Sequence, residues 1–497
     1  LNYTKLHQQS KARATKAIGK QYSCTIVIQG TDAKIEGTFP VQPILDATSY
    51  LQPGYRFTAQ YRSKQWDGRI KLFKQVTRTF PAGLTQIVLK ALRKEQVQVQ
   101  VDDQRNCPGQ PQPVSGLSLQ GVRFDYPFDY QPECAQALVA ARRGVAAVAT
   151  NGGKTVISAL VIKMLRLPTL FMVPNLELLR QTSKMFRAYL GLQPNDSRDV
   201  GVVGDGAWNP GRWVTVATVD TLYARIGKDE CRNFLKSVKV VFADECHHVA
   251  SDSWYQVMRF CDAYYRFGLS GTPLKRSDGA DLRLIGVTGP VAHTVRNKEL
   301  IDRGISVQPT IQVHKITKPV IAKRTKWQEV YQLGIVENTW RNTKLCLLTA
   351  ELVNQGLSVL MLVKEIKHGE ILDAKLWQSP QQGFIPHQFI NGQETSEVRQ
   401  KALDDFRKGE LKVIIATSIL DEGVDIPNID ALVLAGGGKS SIRTLQRVGR
   451  GLRKGGNVDH LTVIDTADFT HPYLTRHSMK RLHDYRAEEC FKIEIGK

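Results

Sequence analysis

No two cysteines of this sequence fall in a C-x-x-C spacing, and no apolar run reaches the roughly 20 residues that would span a bilayer. The eight cysteines (Cys24, Cys107, Cys134, Cys231, Cys246, Cys261, Cys346 and Cys490) are scattered along 497 residues. That argues against a disulfide scaffold or a zinc-ribbon site and suits a reduced compartment. The opening residues, LNYTKLHQQSKARATK, contain no apolar core of a secretion signal, so a cytoplasmic protein without a membrane partner is expected. Acidic residues are also scarce: 47 Asp and Glu stand against 68 Lys and Arg, a formal net charge of +21. Such a field favours a polyanion, in the simplest case nucleic acid. The imbalance is uneven. Residues 1–115 hold 17 basic and 7 acidic side chains, a net +10, which points to an N-terminal part with its own anionic partner.

An apolar fraction of 42% supports packed domains, and the length predicts more than one. Within residues 1–112, YSCTIVIQG, AKIEGTFP and RIKLFKQV alternate as strands, and LTQIVLKALRKEQ repeats with helical period. A small basic α+β nucleic-acid-binding domain is expected there; DDQRNCPGQPQPVSG, residues 102–116, is polar and rich in Pro, Gly and Gln, and a linker is expected over 113–125. Between 126 and 308 the texture changes to near-continuous apolar runs: GVAAVAT, TLFMVP, WVTVAT, VKVVFADE and YRFGLSG. Strands buried on both faces of a doubly wound parallel sheet have this composition. A second series, LSVLMLV, PHQFING, LKVIIAT, DALVLAG and HLTVIDT, lies within 309–497 and ends in a helical tail. The segment IQVHKITKPVIAKRTKWQEV reads as the join between the two series.

One N-terminal stretch interleaves basic and aromatic residues: YRFTAQYRSKQWDGRIKLF, residues 55–73. Asp67-Gly68 predicts a hairpin turn between two strands. Arg62, Lys64, Arg69 and Lys71 flank that turn closely enough to meet successive phosphates, or else form a solvated charged face. Trp66 either packs in the core, the commoner place for tryptophan, or stacks on a base.

The clearest chemistry lies in VATNGGKT, residues 148–155, between a predicted strand and helix. Phosphate binding needs inward-pointing backbone N–H groups, a helix N-terminus and a cation. Gly152 and Gly153 permit close approach, Lys154 would reach the β- and γ-phosphates, and Thr155 would ligate Mg²⁺. Alone, G-G-K-T could be an ordinary strand-to-helix turn. VVFADECHH, residues 240–248, ends an apolar strand in two adjacent carboxylates, which repel unless solvated or metal-bound. Asp244 would hold Mg²⁺ and Glu245 would activate water. Cys246, His247 and His248 offer zinc-ligating atoms, but three consecutive residues rarely converge on one ion. In QRVGRGLRKGG, residues 446–456, Arg447, Arg450 and Arg453 recur every three residues around glycines. Guanidinium groups placed at a phosphate have this spacing; a solvated basic face is the alternative.

Taken in order, ATNGGKT, VPNLELL, ATVDTL, DECH, SGTP, ATSILDEGVDIP and QRVGRGLR resemble motifs I, Ia, Ib, II, III, V and VI of superfamily 2 helicases and translocases. YQPECAQAL is similar to that family's adenine-reading segment, with Gln131 as the base contact and Tyr126 or Phe128 as the stacking ring. The resemblance implies two tandem RecA-like domains with ATP in the cleft between them. The first would supply Asn151, Gly152, Gly153, Lys154, Thr155, Asp244 and Glu245, and the second Arg447, Arg450 and Arg453. His247 and Thr272 would couple the γ-phosphate to a strand running past Pro174, Asn175, Thr218, Thr221, Lys364 and Thr417. Gly423 and Asp425, in motif V, would serve both ribose and strand.

Asn151 departs from the family's usual glycine, but asparagine tolerates a left-handed backbone best among the other residues. Ahead of the motor, the Y-R-F…W-D-G-R-I pattern and FPAGLTQIV are similar to UvsW-type DNA helicases of T-even phages. That likeness implies a branched-DNA partner: branch migration, fork regression, and R-loop or D-loop dissociation. The setting would be the bacterial host cytoplasm, alongside phage recombination or replication proteins. The motor subunit of a restriction-type nuclease and an RNA helicase remain alternatives.

Overall fold

A computed structural model of the chain describes residues 22–192, 198–271, 279–377, 384–417, 429–438 and 460–496. They fall into two compact units. One comprises the chain to Arg123 together with Gln131–Ala147 and Thr155–Thr294; the other comprises Phe124–Tyr130, Val148–Lys154 and the chain from Val295.

The N-terminal part supplies β1 (Ser23–Gln29), β2 (Asp32–Thr38), β3 (Ser49–Leu51), β4 (Arg69–Lys71), β5 (Thr79–Pro81) and β6 (Gln98–Asp103). Four of them form a sheet in the order β5-β2-β1-β6, and β3 pairs antiparallel with β4. Alternation on β1 and β2 turns Ile26 and Ile35 inward. There they meet Val88, Leu89 and Leu92, one face of the helix Thr85–Lys94.

This sheet is fastened to its neighbour by more than the chain connection. Arg259 donates twice to the carboxylate of Asp32, both at 2.6 Å, and Arg143 donates to the carbonyl of Gly30 at 2.5 Å. Gly83 lies so close to the helix Asp281–Thr288 that a Cβ there would sit 1.9 Å from the carbonyl oxygen of Ile285.

The hairpin expected at Asp67-Gly68 does not form. Tyr55–Phe57 is a 3₁₀ turn and Ala59–Arg62 a short helix, capped by Thr58, whose hydroxyl accepts from the Tyr61 amide. That local cap outweighs the strand-like alternation. The strand after Gly68, β4, therefore pairs upstream with β3.

The first α/β sheet contains β7 (Arg143–Val148), β8 (Thr169–Val173), β9 (Val200–Gly204), β10 (Ala207–Asn209), β11 (Val214–Thr218), β12 (Val240–Asp244), β13 (Tyr265–Ser270) and β14 (Val291–Val295). Its order is β10-β9-β11-β8-β12-β13-β7-β14, parallel from β9 through β7. Val241 and Ala243 of β12 face one core layer. Phe242 joins Phe171 and Phe267 in an aromatic layer.

The second sheet contains β15 (Gln308–Ile316), β16 (Val359–Leu362), β17 (His387–Ile390), β18 (Val413–Ala416), β19 (Ala431–Leu434), β20 (His460–Asp468) and β21 (Lys492–Gly496). The order is β17-β18-β16-β19-β20-β15-β21, with every pairing parallel. β16 sends Leu360 and Leu362 into one core and Val359 and Met361 into the other, so helices cover both faces. The sequence expected a join where β15 stands. This strand alternates buried with half-buried positions and so lacks the continuous apolar run of its neighbours. The tail is helical over Pro472–Arg486 but then returns to the sheet as β21. Among the described residues no helix is long and apolar enough to cross a membrane.

Candidate functional site

Where β7 ends, Ala149 to Gly153 form a loop that leads directly into the helix Lys154–Leu165. Asn151 adopts a left-handed backbone at φ 71° and Gly153 follows at φ 77°. At Gly152 the packing excludes any side chain, because a Cβ would lie 2.5 Å from Val148 Cγ1. The Gly152 amide donates to the carbonyl of Ala149 at 3.0 Å, and the buried Tyr130 donates its hydroxyl to the carbonyl of Gly152 at 3.1 Å. The result is a tight backbone cradle at the start of a helix, with Lys154 as the helix's first residue.

The segment entering the helix Tyr130–Ala141 has a partner, Arg303, that sequence patterns do not reveal. Arg303 pairs with Asp129 and donates to the carbonyl of Pro127 at 3.2 Å. Its guanidinium lies 5.8 Å from the Tyr126 ring centroid and 5.2 Å from that of Tyr130. Next in the chain, Gln131 is only 4% exposed, and its Oε1 has no hydrogen-bond partner among the described residues. A buried amide oxygen left this way suits a ligand that donates to it.

β12 leaves the sheet at the same carboxyl edge as β7, with β13 between them. Asp244, its last residue, is buried, and Oδ1 accepts from the Glu245 amide at 3.0 Å. Glu245 itself is left-handed (φ 47°, ψ 49°), a costly conformation for a side chain of this kind. Its Oε2 lies 3.5 Å from His247 Nδ1, which is also 3.4 Å from the Ser270 hydroxyl at the end of β13. The zinc alternative finds no common centre. Cys246 is buried in the apolar core, His247 turns to Glu245 and Ser270, and His248 stacks on Trp254 with ring centroids 5.7 Å apart.

The remaining residues of the expected strand track separate into two groups. Pro174 and Asn175 follow β8, and Thr218 and Thr221 lie at the end of adjacent β11. Asn175 caps the helix Leu176–Leu190 through Leu178 N at 2.9 Å, so its Oδ1 is committed to structure. Thr218 donates to the Thr221 hydroxyl at 2.8 Å, which leaves the Thr221 proton to donate elsewhere. In the other unit, Lys364 follows β16 and lies 5.4 Å from the Tyr331 ring centroid, and Thr417 follows adjacent β18. Thr272, Gly423, Asp425, Arg447, Arg450 and Arg453 lie outside the described residues.

In the N-terminal part, Arg62, Lys64, Trp66 and Lys71 line one cup, joined there by Arg56 and Tyr61. Both belong to the same basic and aromatic stretch, residues 55–73. Arg69 does not line the cup: its guanidinium donates to the Ser49 hydroxyl at 3.2 Å across the β3–β4 pair. Lys71 is held by Asp67 at 2.7 Å. Trp66 is half-buried, apart from the apolar core, and its indole N–H donates to the carbonyl of Arg69 at 2.9 Å. Core packing, the commoner expectation for tryptophan, is therefore not its place.

The chain is similar to known proteins. Residues 126–275 match the family described as the res subunit of type III restriction enzymes, and residues 342–455 match the helicase conserved C-terminal domain. A DNA 3'-5' translocase XPB2 of Sulfurisphaera tokodaii is 25% identical over 66% of this chain and 78% of its own length. The ATP-dependent DNA helicase uvsW of Enterobacteria phage T4 is 23% identical over 91% of this chain and 94% of its own. In fold, the chain is similar to Saccharomyces cerevisiae Dbp5 bound to RNA and ADP BeF3, with a TM-score of 0.50 and 18% identity. That similarity covers 74% of this chain and 95% of Dbp5. With both family matches and the phage T4 relative spanning motor and N-terminal part alike, the chain belongs to the superfamily 2 helicases of the UvsW type and is an ATP-dependent helicase.

Proposed function

We propose that this helicase remodels branched DNA, driving branch migration, fork regression and the dissociation of R-loops or D-loops during phage replication, recombination and repair. The observation that carries the reading is the similarity to the phage T4 helicase over 91% of the chain, which includes the N-terminal part as well as the motor. The restriction-enzyme match covers motor residues 126–275 only, so it supports the motor without extending to a nuclease. The host cytoplasm, and phage recombination or replication proteins as partners, belong to the same proposal.

The local geometry fits a nucleotide. A tight loop at a helix start, in which Gly152 has no room for a Cβ beside Val148, and a buried amide oxygen at Gln131 with no partner among the described residues suit a triphosphate and an adenine respectively. Lys154 would neutralise the β- and γ-phosphates. A hydroxyl and a carboxylate, Thr155 and Asp244, form the hard-oxygen donor set that Mg²⁺ prefers; the ion would supply charge neutralisation at the phosphates. Glu245 would orient and deprotonate the attacking water, with His247 relaying the change toward the strand residues. Arg450 and Arg453 would act as fingers from the second domain, with Arg447 beside them, and Gly423 and Asp425 would join ribose to strand. Asn175, Thr221, Lys364 and Thr417 would touch strand phosphates.

The test is ATP hydrolysis with and without DNA. Lys154→Ala should abolish stimulated turnover. Glu245→Gln should bind nucleotide yet lose about 10²–10⁴-fold in rate. Normal hydrolysis by the Glu245→Gln variant would show that the catalytic assignment is wrong.

A further inference from the structure

The second unit has a concavity of about 600 Å³ between the end of β15 and the helix Thr339–Asn354. Ile316, Leu347 and Leu348 give it aliphatic walls, and Trp340 closes one side. The indole is 64% exposed, so it contributes little to the core while presenting a large apolar face to solvent. Lys315, Lys318 and Lys344 stand around the opening against one acid, Glu351, and the Lys318 ammonium lies 5.3 Å from the Trp340 ring centroid. In the sheet, β15 is separated from β16 by β19 and β20. The groove is therefore distinct from the strand residues that follow β16 and β18.

We propose that this groove is a docking site for an acidic peptide segment of a partner protein. One bulky apolar side chain of the partner would sit against Trp340, Leu347 and Leu348, and neighbouring carboxylates would pair with Lys315, Lys318 and Lys344. Charge complementarity selects this occupant. The chain itself carries +21, and its opening residues LNYTKLHQQSKARATK hold four of those cations, Lys5, Lys11, Arg13 and Lys16, without an acid. Neither this segment nor a second copy would be drawn to a lysine-rimmed groove. A nucleic-acid strand fits less well. Its successive bases want several aromatic faces, whereas here the walls are aliphatic and Trp340 is the one aromatic side chain lining the groove.

The experiment is fluorescence anisotropy on the full chain with a short labelled peptide of consecutive aspartates ending in leucine and phenylalanine. Two comparison peptides replace either the apolar pair or the aspartates with serine. The expected result is saturable binding of the first peptide alone, weakened about tenfold or more by Trp340→Ala and by Lys318→Glu. DNA-stimulated ATP hydrolysis should stay unchanged in both variants, which confirms that they fold. Three outcomes would overturn the proposal: no binding, equal binding of the aspartate-only peptide, or a Trp340→Ala variant that loses single-stranded DNA binding but keeps the peptide.

Discussion

At the residue scale, Glu245 combines the proposed catalytic role with a backbone conformation that glutamate rarely adopts. Glycine meets no steric cost there, so Glu245→Gly should stabilise the fold by roughly 0.5–1 kcal/mol while abolishing hydrolysis. Denaturant midpoints and turnover measured on one preparation would check the pair; a destabilised variant would remove strain from the account. His368 offers a pH test in the other unit. Burial, with Arg341 nearby, pushes its imidazole down from 6.5 to about 3, and Nε2 bonds the Asn342 side chain at 3.0 Å. The folded chain keeps this ring neutral while the unfolded chain protonates it. Its contribution is therefore present above about pH 6.5 and lost as pH falls toward 3. The urea midpoint should decline across that window, and His368→Gln should flatten the decline. Residues such as Lys154 and Asp244 were legible because their chemistry sits in short, ordered motifs. Arg303 was not, because its partners Asp129 and Tyr126 lie far from it in sequence.

At the element scale, the parallel strands buried on both faces were legible as apolar runs, and so was the short β17 within PHQFING; other half-buried or edge strands were not. β15 and β21 fall in the second class, and β9 carries glycines at both ends of its V-V core. The 55–73 stretch misled for a different reason. Its alternation resembles a strand, but Thr58 caps a helical turn and Gly68, at φ 77°, packs against Tyr55. The attachment of the N-terminal sheet was equally hidden, since it rests on Arg259 meeting Asp32 and on the absent side chain of Gly83. Gly83→Val should force the turn off the helix Asp281–Thr288 and cost about 1–3 kcal/mol. Limited proteolysis should then cut the N-terminal part sooner than in the parent chain. Unchanged cleavage and stability would mean that this contact does not fasten the sheet.

At the scale of the whole molecule, the proposed function divides labour between a motor and a basic N-terminal module. The cup of Arg56, Arg62, Lys64, Trp66 and Lys71 is the module's proposed grip, and the bond from the Trp66 indole to the Arg69 carbonyl fixes that ring in the cup. Arg62→Glu with Lys64→Glu should weaken DNA binding and lower the salt dependence of log K by about 2. Hydrolysis without DNA should not change. The most direct measurement compares ATP-driven strand separation on four-way junctions, forks, R-loops and plain blunt duplex of matched length. The account predicts that branched substrates are processed about tenfold or more faster than duplex, and that the double variant loses this preference. Equal rates on plain duplex and junction by the parent chain would contradict it.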